Sequence, residues 1–166
     1  MKWEFGFESA TSVIYVVNLN CYHFKLYEDD MTNCLVESVK VFHEIVNEKL
    51  LGKQFYLVFN NMSMFQESLK TKPLENYVMD YNGSSVHDAL QFVVQLFLKL
   101  VRQKEKVIPI VTELTDCAKM KQFISEIIHY EIYGKKSFTD LYCLLPIYQF
   151  RRLSMKFYNV TIQCQD

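Results

Sequence analysis

The chain has 166 residues, half of them hydrophobic, with only four glycines and three prolines. That length supports one domain with a real core, and the scarcity of Gly and Pro argues against disorder. Eighteen Lys and Arg against 19 Asp and Glu leave no net field for nucleic acid or an anionic membrane, and five widely spaced cysteines without a C-x-x-C pair indicate neither a zinc site nor a disulfide framework.

Acidic Glu4 and Glu8 interrupt the opening, so no secretory leader is expected there. The first apolar run, SVIYVV at 12–17, falls far short of the ~20 residues a membrane helix needs. Two similar runs follow, FYLVF at 55–59 and VIPIV at 107–111. All three are rich in Val, Ile, Phe and Tyr without clean alternation, as strands covered on both faces are. Between the first two, Leu35, Val39, Phe42 and Val46 keep helical spacing. Between the second and third, Val86, Leu90, Val93 and Phe97 do the same, opening on the capping-box pair Ser85 and Asp88.

After the third strand, Met120, Phe123, Ile124, Ile127 and Ile128 form another stripe, with Gly134 placed to end that helix. Strand–helix alternation of this kind predicts an α/β fold, a parallel sheet flanked by helices. Three strands leave two open edges. The alternation of Tyr158, Val160 and Ile162 with polar neighbours predicts a late edge strand that covers one of them. The expected division is 1–134 for the α/β unit and 135–166 for a C-terminal extension.

Strand ends in such sheets are where ligands sit. Two of them run into polar clusters, Asn60-Asn61-Met62-Ser63 and Thr112-Glu113-Leu114-Thr115-Asp116. In order and spacing these resemble the two guanine-reading loops of a Ras-like GTPase, and the flanking segments resemble the alpha subunit of heterotrimeric G proteins. KWEFGFESATSVIYVV looks like the family stretch KKWIHCFEGVTAIIF. LYEDDMTNCLVESVKVF is similar to L-x-E-D-x-x-x-N-x-x-x-E-S-x-x-x-F, and TDCAKMKQFISEII to T-D-T-x-N-I-x-x-V-F-x-x-V. The likeness runs from Lys2 to about Ile132 and implies the C-terminal half of a Ras-like domain.

The resemblance also implies a guanine nucleotide, GTP or GDP, as ligand, and no metal site of the chain's own. The site residues it carries over are Asn60, Asn61 and Ser63, then Thr112, Leu114 and Thr115. Where the family has N-K-x-D this chain has N-N-M-S, so Asn61 replaces the lysine and Ser63 the aspartate. Losing two charge-assisted bonds, each worth roughly 1.5–3 kcal/mol, weakens base recognition by on the order of a hundredfold or more. The family's T-C-A-T has become T-E-L-T, and Glu113 with Leu114 is expected to crowd the base. Phosphate binding needs G-x-x-x-x-G-K-[ST], and the glycines at 6, 52, 83 and 134 stand singly.

The expectation is therefore a truncated pseudo-GTPase of G-protein-coupled signal transduction, with no catalytic residue. It would lie in the cytoplasm or at the inner face of the plasma membrane, meeting protein partners through Leu35 to Lys53, where family members contact effectors. Receptor and beta-gamma contacts are not expected. Two rival readings stand beside it: a fragment of a complete GTPase whose upstream part carries the phosphate site, and a scaffolding module that self-associates through its open sheet edge. Lone histidines His23, His43, His87 and His129 share no ligand spacing, and Asn60, Asn61 and Ser63 also suit the capping of a following turn.

Overall fold

The apolar runs form strands because each finds cover on both of its faces. The computed structural model describes residues 10–133 and 159–160, with the parallel strands β1 (Ser12–Asn18), β2 (Gln54–Asn60) and β3 (Val107–Val111). A two-residue β4 (Asn159–Val160) joins β1 at Ile14 and Tyr15, giving the order β3-β2-β1-β4. The late edge strand is present in that short form. The Gly134 cap and the rest of 134–158 and 161–166 lie outside the described residues. Pro109, which lacks an N–H, sits on edge strand β3, where that loss is tolerated.

Successive residues of β2 point to opposite faces, and both faces are buried. Phe55, Leu57 and Phe59 join Val13, Tyr15 and Val17 in the larger core, while Tyr56 and Val58 join Ile108 and Ile110 in the smaller. The larger core is closed by α1 (Cys34–Glu44) and α3 (Val86–Leu98), which contribute Leu35, Phe42, Leu90, Val93 and Phe97. Asn33 caps α1 by accepting from the N–H groups of Leu35 and Val36, at 2.9 and 3.2 Å. At α3 the capping box is complete, with Ser85 Oγ accepting from Asp88 N and Asp88 Oδ2 from Ser85 N. The end of α1 widens into a π turn, Ile45–Lys49, and Gly52 (φ 86°) supplies the left-handed residue that admits β2. Asn47 stitches this turn to the end of α3, donating to Leu100 O and accepting from Arg102 N at 2.9 Å each.

A short helix that the hydrophobic pattern did not announce, α2 (Met62–Leu69), follows β2 directly. Of its residues only Phe65 is buried, too little to make an apolar stripe. The opposite face of the sheet is covered by α4 (Cys117–Tyr133) through Phe123, Ile127 and Tyr130. Two members of the stripe expected there are not core: Met120 and Ile128 are each 41% exposed. One helix lying on one sheet face buries a single stripe, and these two residues sit on its flank.

One core position carries a carboxyl instead of a hydrocarbon. Glu131 is buried on α4, and its Oε1 accepts from Ser12 Oγ at 2.7 Å and from Tyr56 OH at 2.6 Å. It ties the end of α4 to the starts of β1 and β2. Burial, and then the bond to Glu131, push the Tyr56 phenol well above the ordinary tyrosine range, so it stays a donor.

Candidate functional site

All three full strands end on the same side of the sheet, and hydrogen bonds join the residues at and just beyond those ends. Asn18, closing β1, accepts on Oδ1 from Asn20 N at 3.0 Å and from Asn61 Nδ2 at 2.9 Å. Asn60, closing β2, accepts on Oδ1 from Leu114 N at 2.8 Å. Beyond β3, Thr112 N donates to Phe59 O at 3.0 Å. The two polar loops singled out in the sequence are therefore neighbours.

Asn61 occupies the N-cap position of α2 but does not cap it with its side chain. Its backbone is left-handed (φ 64°, ψ 41°), a conformation asparagine tolerates better than most residues. Its amide group reaches back to Asn18 instead. The helix start is satisfied from elsewhere: Glu113 Oε1 accepts from Ser63 N at 2.7 Å. A carboxylate at a helix N-terminus meets free N–H groups and the positive end of the dipole. So the Ser63 position meets Glu113, and the loops are clamped across 50 residues of sequence. Nothing in the apolar periodicity marks Glu113 for this task; its one signal is an acid standing where the resembled motif has a small residue.

Leu114 is partly buried and packs against the smaller core, and Glu113 is the member of the pair expected to crowd a base that meets α2. Thr112 is 5% exposed, and its Oγ1 has no hydrogen-bond partner among the described residues. Thr115 is exposed at the head of α4, whose cap is Asp116: its Oδ1 accepts from Ala118 N and Lys119 N at 2.9 and 3.2 Å. Among the described residues no group of three or more His, Cys, Asp or Glu side chains is placed to hold a metal ion.

Residues 1–130 match the model of the G-protein alpha subunit family. The chain belongs to that family. Similar curated proteins include the guanine nucleotide-binding protein alpha-2 subunit of Saccharomyces cerevisiae, 34% identical over 72% of this chain and 27% of that protein. The alpha-2 subunit of Schizosaccharomyces pombe is 31% identical over 76% of this chain and 37% of its own. The alpha-12 subunit of Dictyostelium discoideum is 31% identical over 64% and 31%. The chain thus spans roughly a quarter to a third of the length of these relatives. These relatives are named as guanine nucleotide-binding subunits, so guanine nucleotide is the ligand against which the loops can be compared.

The residues present fit that ligand poorly. A hydroxyl at Ser63 offers one donor and two lone pairs, and does not match a carboxylate as acceptor for two N–H groups. Asn61, engaged by Asn18, carries neither the charge nor the long stem of the lysine it replaces. The amide of Leu114 is already used by Asn60. Among the described residues no helix is long and apolar enough to cross a membrane.

Proposed function

We propose that this polypeptide acts in G-protein signalling as an alpha-subunit-like interaction protein that holds guanine nucleotide weakly and does not hydrolyse GTP. The observation that carries this reading is Ser63, a hydroxyl at the head of α2, backed by Glu113 instead of by an acid of its own. Across these 166 residues no G-x-x-x-x-G-K-[ST] sequence occurs to cradle phosphates. Incubated with magnesium and GTP, the purified chain is expected to release phosphate no faster than buffer. Release that scales with protein concentration would contradict the reading.

Partner binding is assigned to Leu35–Lys53, the surface formed by α1 and the turn after it. Leu35, Phe42, Ile45 and Val46 anchor that segment in the core, so its outward residues are presented on a fixed frame. Those residues include Val36 and Leu51, 38% and 51% exposed, and the exposed charged residues Lys40, Glu44 and Glu48. The cytoplasm, or the inner face of the plasma membrane, is where such partners would be met.

A second reading rests on the 27% coverage of the yeast relative: the chain is part of a longer GTPase, and activity belongs to the longer polypeptide. Extending the chain with its upstream coding sequence and repeating the phosphate assay separates the two. A third reading, self-association, draws on β1, where among the described residues β4 pairs with Ile14 and Tyr15.

A further inference from the structure

We propose that the groove between α2 and the start of α3 docks an extended basic segment of a partner protein, with one cationic side chain in the groove and the segment's backbone along Asn82 and Gly83. This goes beyond the functional reading above, because no residue of the Leu35–Lys53 surface lines the groove. Its volume is about 560 Å³. Leu74, Tyr81 and Ala89 give it a buried, apolar and aromatic base, to which the half-buried Leu69 and Pro73 add. Gln66, Glu75 and Ser84 stand exposed among the residues that line it, so the groove is open to solvent.

Charge selects the occupant. On α2, Glu67 and Lys70 pair at 2.6 Å and cancel one another. Two carboxylates remain. Glu75 makes no hydrogen bond or ion pair among the described residues. Asp88, bonded by Ser84 N and by Ser85, is held below the usual carboxylate range and stays ionised beside Gly83. Burial, and then the charges of Asp88 and Glu75, push the Tyr81 phenol up, so the field of both acids reaches the aromatic residue of the groove. A negative field over an apolar base suits the aliphatic stem and charged head of arginine or lysine.

The walls are set before any partner arrives, which lowers the ordering cost of binding. Tyr81 packs on Phe92 with ring centroids 5.2 Å apart and donates to Ser85 O at 3.3 Å. Gly83 passes so close that a Cβ there would stand 2.5 Å from the Tyr81 hydroxyl. Opposite, α2 is anchored by Phe65, and the chain after it by Tyr22 OH, which donates to Lys72 O at 2.6 Å. The backbone N–H and C=O groups of Asn82 and Gly83 make no hydrogen bond among the described residues, so an extended peptide can pair with them. An open groove leaves a small molecule largely in water, whereas small-molecule sites enclose most of their ligand. A peptide offsets that deficit with main-chain bonds.

The test is an amide NMR titration of the whole, isotope-labelled chain with a terminally blocked hexapeptide alternating valine and arginine. The dissociation constant should be on the order of 100 µM, with shifts concentrated in residues 66–70 and 81–85. The valine–glutamate version should not bind, and free arginine amide should bind about tenfold more weakly. Glu75→Lys, at an exposed position without a partner, keeps the melting temperature and should weaken the arginine peptide about tenfold. Glu105→Lys makes the same charge change at the opposite end of the sheet and should weaken it by less than about twofold. No binding at millimolar concentration, shifts centred elsewhere, equal affinity for the glutamate peptide or for free arginine amide, or equal losses in the two variants overturns the proposal. So do shifts of the same amides when the chain alone is concentrated, which would make a second copy the occupant. None of these outcomes bears on phosphate release, so the proposal and the non-hydrolysing reading can fail separately.

Discussion

Glu131→Leu should destabilise the protein by about 3 kcal/mol, measured as a lower urea midpoint, although it replaces a charged residue with a hydrocarbon at a buried position. Two opposing effects meet there. Removing a buried carboxyl relieves its desolvation, which favours the variant. It also strands the hydroxyls of Ser12 and Tyr56, both buried and both donating to Glu131 Oε1 at 2.7 and 2.6 Å. A buried group left without its partner costs about 1–3 kcal/mol, and a bond to a charged group contributes about 1.5–3 kcal/mol. Two stranded donors outweigh one relieved acid. Removing all three polar groups in S12A/Y56F/E131L should recover most of the loss, since no donor is then left stranded. If the single variant matches the parent in stability, Glu131 is not the tie between α4 and the sheet.

Phe42→Ala carries the other large effect, about 3–5 kcal/mol by the same measurement. Phe42 is fully buried on α1 at the centre of an aromatic cluster. Its ring centroid lies 5.0 Å from Tyr15, 6.0 Å from Phe55 and 5.6 Å from Phe97. Those three rings belong to β1, β2 and α3, so the cavity would open where helices and sheet meet. The neighbours have little freedom to collapse into it: Tyr15 is held by its hydroxyl to Ser38 O at 3.0 Å, and Phe55 lies within a paired strand. Phe42→Leu, which fills more of the space, should cost less than half as much. Equal losses for Ala and Leu would show that the ring contacts, not the volume, set the stability.

These two positions show why part of the fold was legible and part was not. Phe42 belongs to a helical stripe with Leu35 and Val46, and local spacing reveals it. The same holds for β1, β2 and β3, whose unbroken apolar runs report cover on both faces, and for the capping box at Ser85 and Asp88. Glu131 is invisible to such reasoning. A glutamate on a helix reads as a solvent-facing residue, and what buries it is Tyr56, 75 positions away. On α4 the isoleucines are spread around the helix, and only the sheet decides that Phe123 and Ile127 go inside while Ile128 stays on the flank. The helix α2 escaped notice because it buries one side chain, Phe65, and begins with residues that read as a turn.

The nearness of the two polar loops was legible in the sequence, but their wiring was not. Motif order alone brought Asn60, Asn61 and Ser63 beside Thr112, Leu114 and Thr115, and the strand ends place them together. What the motifs did not convey is that several of these groups already have an assignment within the chain. Asn60 holds the amide of Leu114, Asn61 holds Asn18, Leu114 packs partly against the smaller core, and Glu113 caps α2. Where the family motif gives a nucleotide edges to grip, several of these groups now grip each other. A loop pair joined in this way needs no ligand to hold its shape.

Amide hydrogen exchange on the nucleotide-free chain tests that directly, at the N–H groups of Ser63 and Leu114. Both should be protected well beyond an exposed loop amide, with Glu113→Ala releasing Ser63 and Asn60→Ala releasing Leu114. Exchange of both at loop rates in the parent chain, with protection arising only when GDP is added, would contradict a loop pair closed by the protein's own side chains.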